Sequence, residues 1–315
     1  MMLDRGVVVC NGKGGVGKSS LAAAVAAMAA GAGWKTLVVD LDPQGNLGFD
    51  LGYVQDGRSD GGEALHRAVL SGHELQPLEG VRYQLDAVPA GPGTEECFDR
   101  LRERVRFDGL GALRVFYEAL APVATEYDLV VFDTPPTMTT VLDAALCAAR
   151  YLLIPTRFDA GSVDGLERVS ERYMTVRDSA INPRLELIGV VLFGFGDHEQ
   201  QMIAETRAEL EHELEGIAPV FDTYIRQAKW AARHMRRCGL TPNEFLDLVR
   251  AMEASSLGST PALVSTAQGL VDDYAAVTHE VLSRIWSAAA PSRGTETNGQ
   301  VIDLTERQRK VATEA

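Results

Sequence analysis

The chain has 315 residues, enough for one large α/β domain or two small ones, and its 46% apolar and 23% charged residues are ordinary for a globular core. A formal charge of −14 excludes a surface coated throughout for nucleic acid, while leaving room for one basic face. The four cysteines (Cys10, Cys97, Cys147, Cys238) form no C-x-x-C pair, which excludes a zinc or disulfide framework. With no signal peptide, and no apolar run near the roughly 20 residues a bilayer requires, the sequence predicts a soluble cytoplasmic protein.

Residues 5–10 read as a first strand and 18–31 as an alanine-rich helix closed by Gly31 and Gly33. Lys35 to Asp40 is a short buried strand ending in a carboxylate, followed by the loop Asp42-Pro43-Gln44-Gly45-Asn46. Residues 55–62 are polar and glycine-rich and read as a flexible surface loop, with a short helix from Glu63 to Leu70. Tyr83 to Val88 reads as a strand, 95–105 and 110–124 as helices, and Asp128 to Phe132 as a buried strand ending at Asp133. Tyr151 to Ile154 and Leu187 to Phe193 are further strands, with helices at 162–179 and 198–214, and Pro219 to Phe221 reads as a short strand. Helical patterns at 228–237, 243–254 and 265–288 follow, and residues 290–315 read as a polar, disordered tail in which Val301 to Leu304 is the one candidate docking segment. Strands alternating with helices imply one α/β domain over 1–289, a mostly parallel sheet with helices on both faces and ligands at the carboxyl ends of the strands.

At that end of the first strand stands Gly12-Lys13-Gly14-Gly15-Val16-Gly17-Lys18-Ser19-Ser20, which fits G-x-x-x-x-G-K-[ST] between a strand and a helix. Backbone N–H groups and the helix dipole then converge on one anion. Lys18 reaches the β- and γ-phosphates in such a cradle, and the Ser19 hydroxyl sits on Mg²⁺. A triphosphate also needs a carboxylate near the metal, and Asp133 is placed for it at the end of an apolar strand. Asp40 ends the neighbouring strand and suits a metal-bound water, and Asp42 suits the attacking water; for both, turn-forming aspartates beside Pro43 and Gly45 are the competing reading. The histidines (His66, His73, His198, His212, His234, His279) lack metal-ligand spacing and read as solvated.

One run stands against the acidic background. Arg226, Lys229, Arg233, Arg236 and Arg237 fall in a stretch without an acid, and at helical spacing Lys229, Arg233 and Arg236 or Arg237 share a face. Interleaved with Trp230 and Met235, this face suits phosphate-backbone contact; the alternative is an ordinary solvated helix.

The phosphate loop, the segment Asp40-Leu41-Asp42-Pro43-Gln44-Gly45-Asn46 and the segment Phe132-Asp133-Thr134-Pro135-Pro136 together resemble the ParA family of deviant Walker-type ATPases in the ParA/MinD superfamily. The similarity continues through Ile154-Pro155-Thr156, Gly165-Leu166 and Ile225-Arg226 to the terminal helix around Tyr274. The resemblance implies a P-loop ATPase that partitions DNA: ATP and Mg²⁺ join two subunits into a sandwich dimer, the dimer binds DNA without sequence preference on the nucleoid, and a ParB-like partner stimulates hydrolysis. Under it, Lys13 crosses to the partner's nucleotide, Lys18 and Ser19 hold phosphate and metal, Asp42 is the hydrolysis aspartate, and Asp40 and Asp133 serve the metal. Two features depart from the family: Gly194-Phe195-Gly196 stands where relatives often carry an adenine-contacting asparagine, and the segment of about 226–260 is longer than in typical members. A MinD-like membrane positioner is disfavoured, because the last residues lack bulky apolar side chains. A ParA-like positioner of a protein cargo stays open. An iron-protein-like redox relative lacks the paired cysteine contexts, and a non-catalytic scaffold is disfavoured by Asp42.

Overall fold

The computed structural model describes residues 2–157, 160–179, 181–196, 199–214, 219–255 and 260–289; the disorder expected for 290–315 lies outside them. Eight strands form one sheet in the order β3-β4-β2-β5-β1-β6-β7-β8. They are β1 (Leu3–Val9), β2 (Thr36–Asp40), β3 (Leu78–Arg82), β4 (Leu85–Val88), β5 (Leu129–Asp133), β6 (Ala149–Thr156), β7 (Glu186–Phe195) and β8 (Val220–Arg226). Every pairing is parallel except the edge hairpin of β3 with β4.

The helices are α1 (Lys18–Gly31), α2 (Asn46–Asp50), α3 (Glu63–Ser71), α4 (Pro92–Asp108), α5 (Arg114–Ala124), α6 (Thr139–Ala148), α7 (Ala160–Asp178), α8 (Gln200–Glu213), α9 (Lys229–Cys238), α10 (Pro242–Ala254) and α11 (Pro261–Ala289). Alternation along each strand divides the core. Val8, Leu37 and Val39 face the layer of α3 to α8, whereas Val7, Val9 and Val38 face α1, α9, α10 and α11. The central strands are apolar on both faces because both are covered.

Helix α2 is absent from the sequence reading, and three further elements differ from it for physical reasons. Helix α6 is buried almost all round from Val141 to Ala148, so no polar stripe marks its period. Strand β3 is a short edge strand with Glu79 and Gly80 exposed, and its sequence resembles a loop. Strand β8 runs five residues past the expected Phe221, since Ile225 still packs inward while its neighbours meet solvent. Residues 55–57 and 61–62 are turns joined by the irregular 58–60, where Arg58 donates to the Gly80 carbonyl of β3 at 3.3 Å. No helix among the described residues is long and apolar enough to cross a membrane.

Candidate nucleotide site

Strand β1 ends at Val9, and the chain turns through the glycine loop into α1. Asn11, almost fully buried, braces this turn: its amide donates to the Pro155 carbonyl at 2.9 Å and accepts the Lys13 N–H at 2.8 Å. The Gly12 N–H meets the Gly165 carbonyl of α7 at 3.4 Å, and a Cβ on Gly165 would sit 2.3 Å from the Asn11 oxygen. Gly17 is required twice over. Its φ of 95° is left-handed, and a Cβ there would lie 2.5 Å from the Phe193 ring.

The loop opens on a cavity of about 720 Å³. Gly14, Gly15, Gly17, Lys18, Ser19 and Ser20 line it, while Gly12 and Val16 hold the loop from behind. Lys13 adds nothing to this wall. The Lys18 ammonium donates to the Lys13 carbonyl at 2.9 Å, curling back over its own loop. Burial lowers the Lys18 pKa, with the Asp133, Cys10 and Asp42 charges acting in the opposite direction.

Register places the carboxylates. Asp40 and Asp133 are Cα partners across β2 and β5, and Val9 of β1 is the partner of Asp133 on its other side. Both aspartates are fully buried, outside the cavity wall, whereas Asp42 lines it. The Asp42 N–H donates to Asp40 Oδ1 at 3.0 Å, and Asp42 Oδ1 accepts the Gln44 N–H at 3.0 Å, which fixes the carboxylate at the rim. Among the described residues Asp40 Oδ2 and both oxygens of Asp133 have no partner in good hydrogen-bond geometry, the Ser19 hydroxyl being the group that favours the Asp133 carboxylate. Burial raises the Asp133 pKa to about 7 against the Ser19 hydroxyl and Lys18, and burial followed by the Asp133 charge pushes Asp40 well up.

Orphaned buried carboxylate oxygens are costly unless something cationic faces them. Hard oxygens beside a loop serine suit Mg²⁺, so the donor set fits that ion. Among the described residues no group of three or more His, Cys, Asp or Glu is arranged to hold a metal by itself.

The basic run divides in the structure. Lys229 and Arg237 are exposed on α9, Arg233 is exposed and also lines the cavity, and Trp230 stacks on His234 with ring centroids 4.3 Å apart. Arg236 departs from the expected row of solvent-facing cations: it forms a two-pronged ion pair with Asp50 of α2, at 2.6 and 2.8 Å, and lines the cavity. Asp50 also accepts the Ser20 hydroxyl at 3.1 Å. Helical spacing alone cannot separate Arg236 from Arg237, because the partner that selects between them lies 186 residues away. Sequence reasoning also missed Asn11 and Arg157. Asn11 carried a signal, a polar residue directly after an apolar strand. Arg157, whose guanidinium lies 5.6 Å from the Phe193 ring centroid, carried none.

The AAA domain family matches residues 4–187. Over 219 residues the chain is 33% identical to the chromosome partitioning protein ParA of Myxococcus xanthus, covering 67% of this chain and 69% of that one. Over 287 residues it is 30% identical to the chromosome-partitioning ATPase Soj of Thermus thermophilus, covering 90% and 98%. In three dimensions it is similar to an ATP complex of McdA from Cyanothece, with a TM-score of 0.65, 20% identity and coverage of 87% and 97%. The three motifs meet at one cavity, and the Soj similarity runs almost the whole length of both chains; this chain therefore belongs to the ParA family of deviant Walker-type P-loop ATPases.

Proposed function

We propose that this protein is a DNA-partitioning ATPase that hydrolyses ATP to ADP and phosphate with Mg²⁺. In this reading ATP sandwiches two copies into a dimer, the dimer binds DNA without sequence preference on the nucleoid, and a ParB-like DNA-binding partner stimulates turnover. One observation carries it: the phosphate loop, Asp42 and the Pro135-Pro136 segment line one cavity. A second lysine in that loop, Lys13, is in this reading the one that meets the partner's phosphate.

The loop glycines and the N-terminus of α1 bind the phosphates, and Lys18 exchanges the Lys13 carbonyl for phosphate oxygen. Ser19 would hold Mg²⁺ directly, with Asp40 and Asp133 acting through water. Held there, the ion would supply positive charge to the phosphates. Asp42, at the rim and oriented by the Gln44 N–H, positions the attacking water. Phosphoryl transfer draws most of its rate from positioning and charge, so these groups suffice. The exposed cations Lys229, Arg233 and Arg237 of α9 are the DNA-facing set in this reading.

Phosphate release measured with and without DNA tests the proposal. The wild-type chain should turn over ATP slowly and faster with DNA and the partner present. Asp42→Ala should lower turnover by about 100-fold or more while leaving ATP-dependent dimerisation intact. Unchanged phosphate release in Asp42→Ala removes Asp42 from the mechanism.

A further inference from the structure

The residues lining the cavity fall into two sets, which we call its two arms, with different chemistry. The first comprises the phosphate loop with Asp42, Pro43, Gln44, Pro135 and Pro136. The second comprises the buried Ala23 and Ala24 of α1 with Ala232, Arg233, Met235, Arg236 and Leu240 of the α9–α10 segment. Phosphates and water suit the first arm. The second arm has small apolar side chains on one wall and a polar edge made by the Arg236–Asp50 pair, which suits a flat heterocycle with hydrogen-bonding edges.

That wall is rigid. Gln55 donates to the Arg236 carbonyl at 2.9 Å, and Arg82 donates to the Gly239 carbonyl at 2.8 Å while pairing with Glu244 at 2.6 Å. Gly239 approaches Gly52 so closely that a Cβ on it would lie 2.3 Å from the Gly52 Cα. Helix α10 then starts from a capping box in which the Thr241 N–H donates to Glu244 at 2.8 Å. A surface loop with no ligand behind it has no need of so many cross-chain anchors.

We infer that the α9–α10 segment is the wall of the nucleotide site that receives the base, and that Arg236, locked by Asp50, is a specificity-determining residue for that base. This rests on the nucleotide-binding reading above and gives the departure at Gly194-Phe195-Gly196 a functional counterpart. The base edge is read from the longer segment, by an arginine that helical spacing had grouped with the outward-facing cations. The pair also reaches the phosphate end, because Asp50 accepts the Ser20 hydroxyl. Base and phosphate are thereby registered against one carboxylate.

The test compares binding of ATP, GTP and CTP with binding of inorganic tripolyphosphate, all with Mg²⁺, by the full chain. Tripolyphosphate has no base and reports on the phosphate loop alone. Arg236→Gln should weaken ATP binding by about tenfold and narrow the preference among the three nucleotides. Tripolyphosphate affinity should be unchanged. Leu240→Trp, which fills the same arm without touching the ion pair, should block ATP and spare tripolyphosphate, and serves if Arg236→Gln fails to fold. ATP affinity unaltered in Arg236→Gln, or ATP and tripolyphosphate weakened equally by a folded Leu240→Trp, overturns the wall while leaving a phosphate site in place. A wild-type chain that binds neither ligand overturns the nucleotide reading itself.

Discussion

The phosphate loop and the α9–α10 segment face the same cavity but are held there by different physics. The loop is positioned by backbone: a parallel strand, left-handed glycines and a helix start, all within twenty residues, with Asn11 and Gly165 as braces. The α9–α10 segment is positioned by side chains that reach across the chain, Arg236 to Asp50 and Arg82 to Glu244 and Gly239. Backbone geometry tolerates change in the side chains around it. A wall built from paired charges can be rewritten by a few substitutions, so the proposed base recognition rests on the more alterable of the two regions.

The widest separation between them is expected at Lys13. Lys13→Ala should abolish ATP-dependent dimerisation and lower hydrolysis by about 100-fold, while monomer ATP binding falls only slightly. Sedimentation with ATP and a phosphate-release assay read the two effects. Equal loss of binding, dimerisation and turnover would return Lys13 to its own subunit's cradle.

Asp133 gives the next largest effect, with a definite pH signature. Its carboxyl titrates near 7 in the folded chain, above its ordinary range, so the folded state holds more protons than the unfolded state between about pH 4 and 7. Without metal and nucleotide, stability should therefore fall as pH rises through that window and level off above it. Asp133→Asn should reduce this slope, the raised Asp40 carboxyl accounting for what remains, and be more stable than wild type at pH 8 by on the order of 2 kcal/mol, with no advantage at pH 4. Urea unfolding at the two pH values decides this, and a constant difference would locate the cost elsewhere.

What the sequence disclosed follows the same division. The loop, Asp40, Asp42 and Asp133 were readable because local patterns specify them: a glycine spacing and two apolar strands ending in carboxylates. The register that makes Asp40 and Asp133 Cα partners follows from parallel pairing and is implicit in those patterns. Helix α6 escaped because burial on all sides removes periodicity, and β3 because an exposed edge strand resembles a loop. Arg236 was grouped with its neighbours because its environment is set by Asp50, and only the tertiary fold brings the two together.

The same split orders the cations of α9. Replacing Lys229, Arg233 and Arg237 together should weaken ATP-dependent DNA binding by about tenfold and reduce its logarithmic salt slope by roughly 2–3. Arg236→Gln should leave that slope unchanged, since its guanidinium is committed to Asp50. An equal loss of slope from Arg236→Gln alone would put it among the DNA contacts.

The smallest effect concerns the anchor of α10 and titrates in the direction opposite to Asp133. Burial alone would raise the Glu244 carboxyl, but the hydrogen bonds from Arg82 and the Thr241 N–H outweigh it and hold the group below its ordinary range. Its contribution is therefore present above about pH 4.5 and lost as pH falls through the lower folded value. The side chain is 37% exposed, so screening by solvent limits the stabilisation to about 1 kcal/mol at neutral pH. Glu244→Gln should cost that amount at pH 7 and nothing near pH 3, a convergence opposite to that of Asp133→Asn, whose advantage grows with pH. Because Arg82 also donates to the Leu51 and Gly239 carbonyls, loosening Glu244 should carry through to the wall itself, as a small loss of ATP affinity with tripolyphosphate binding unmoved. A variant that loses stability without losing ATP affinity would show that the α10 anchor and the wall are energetically separate, and that Arg236–Asp50 alone holds the wall in place.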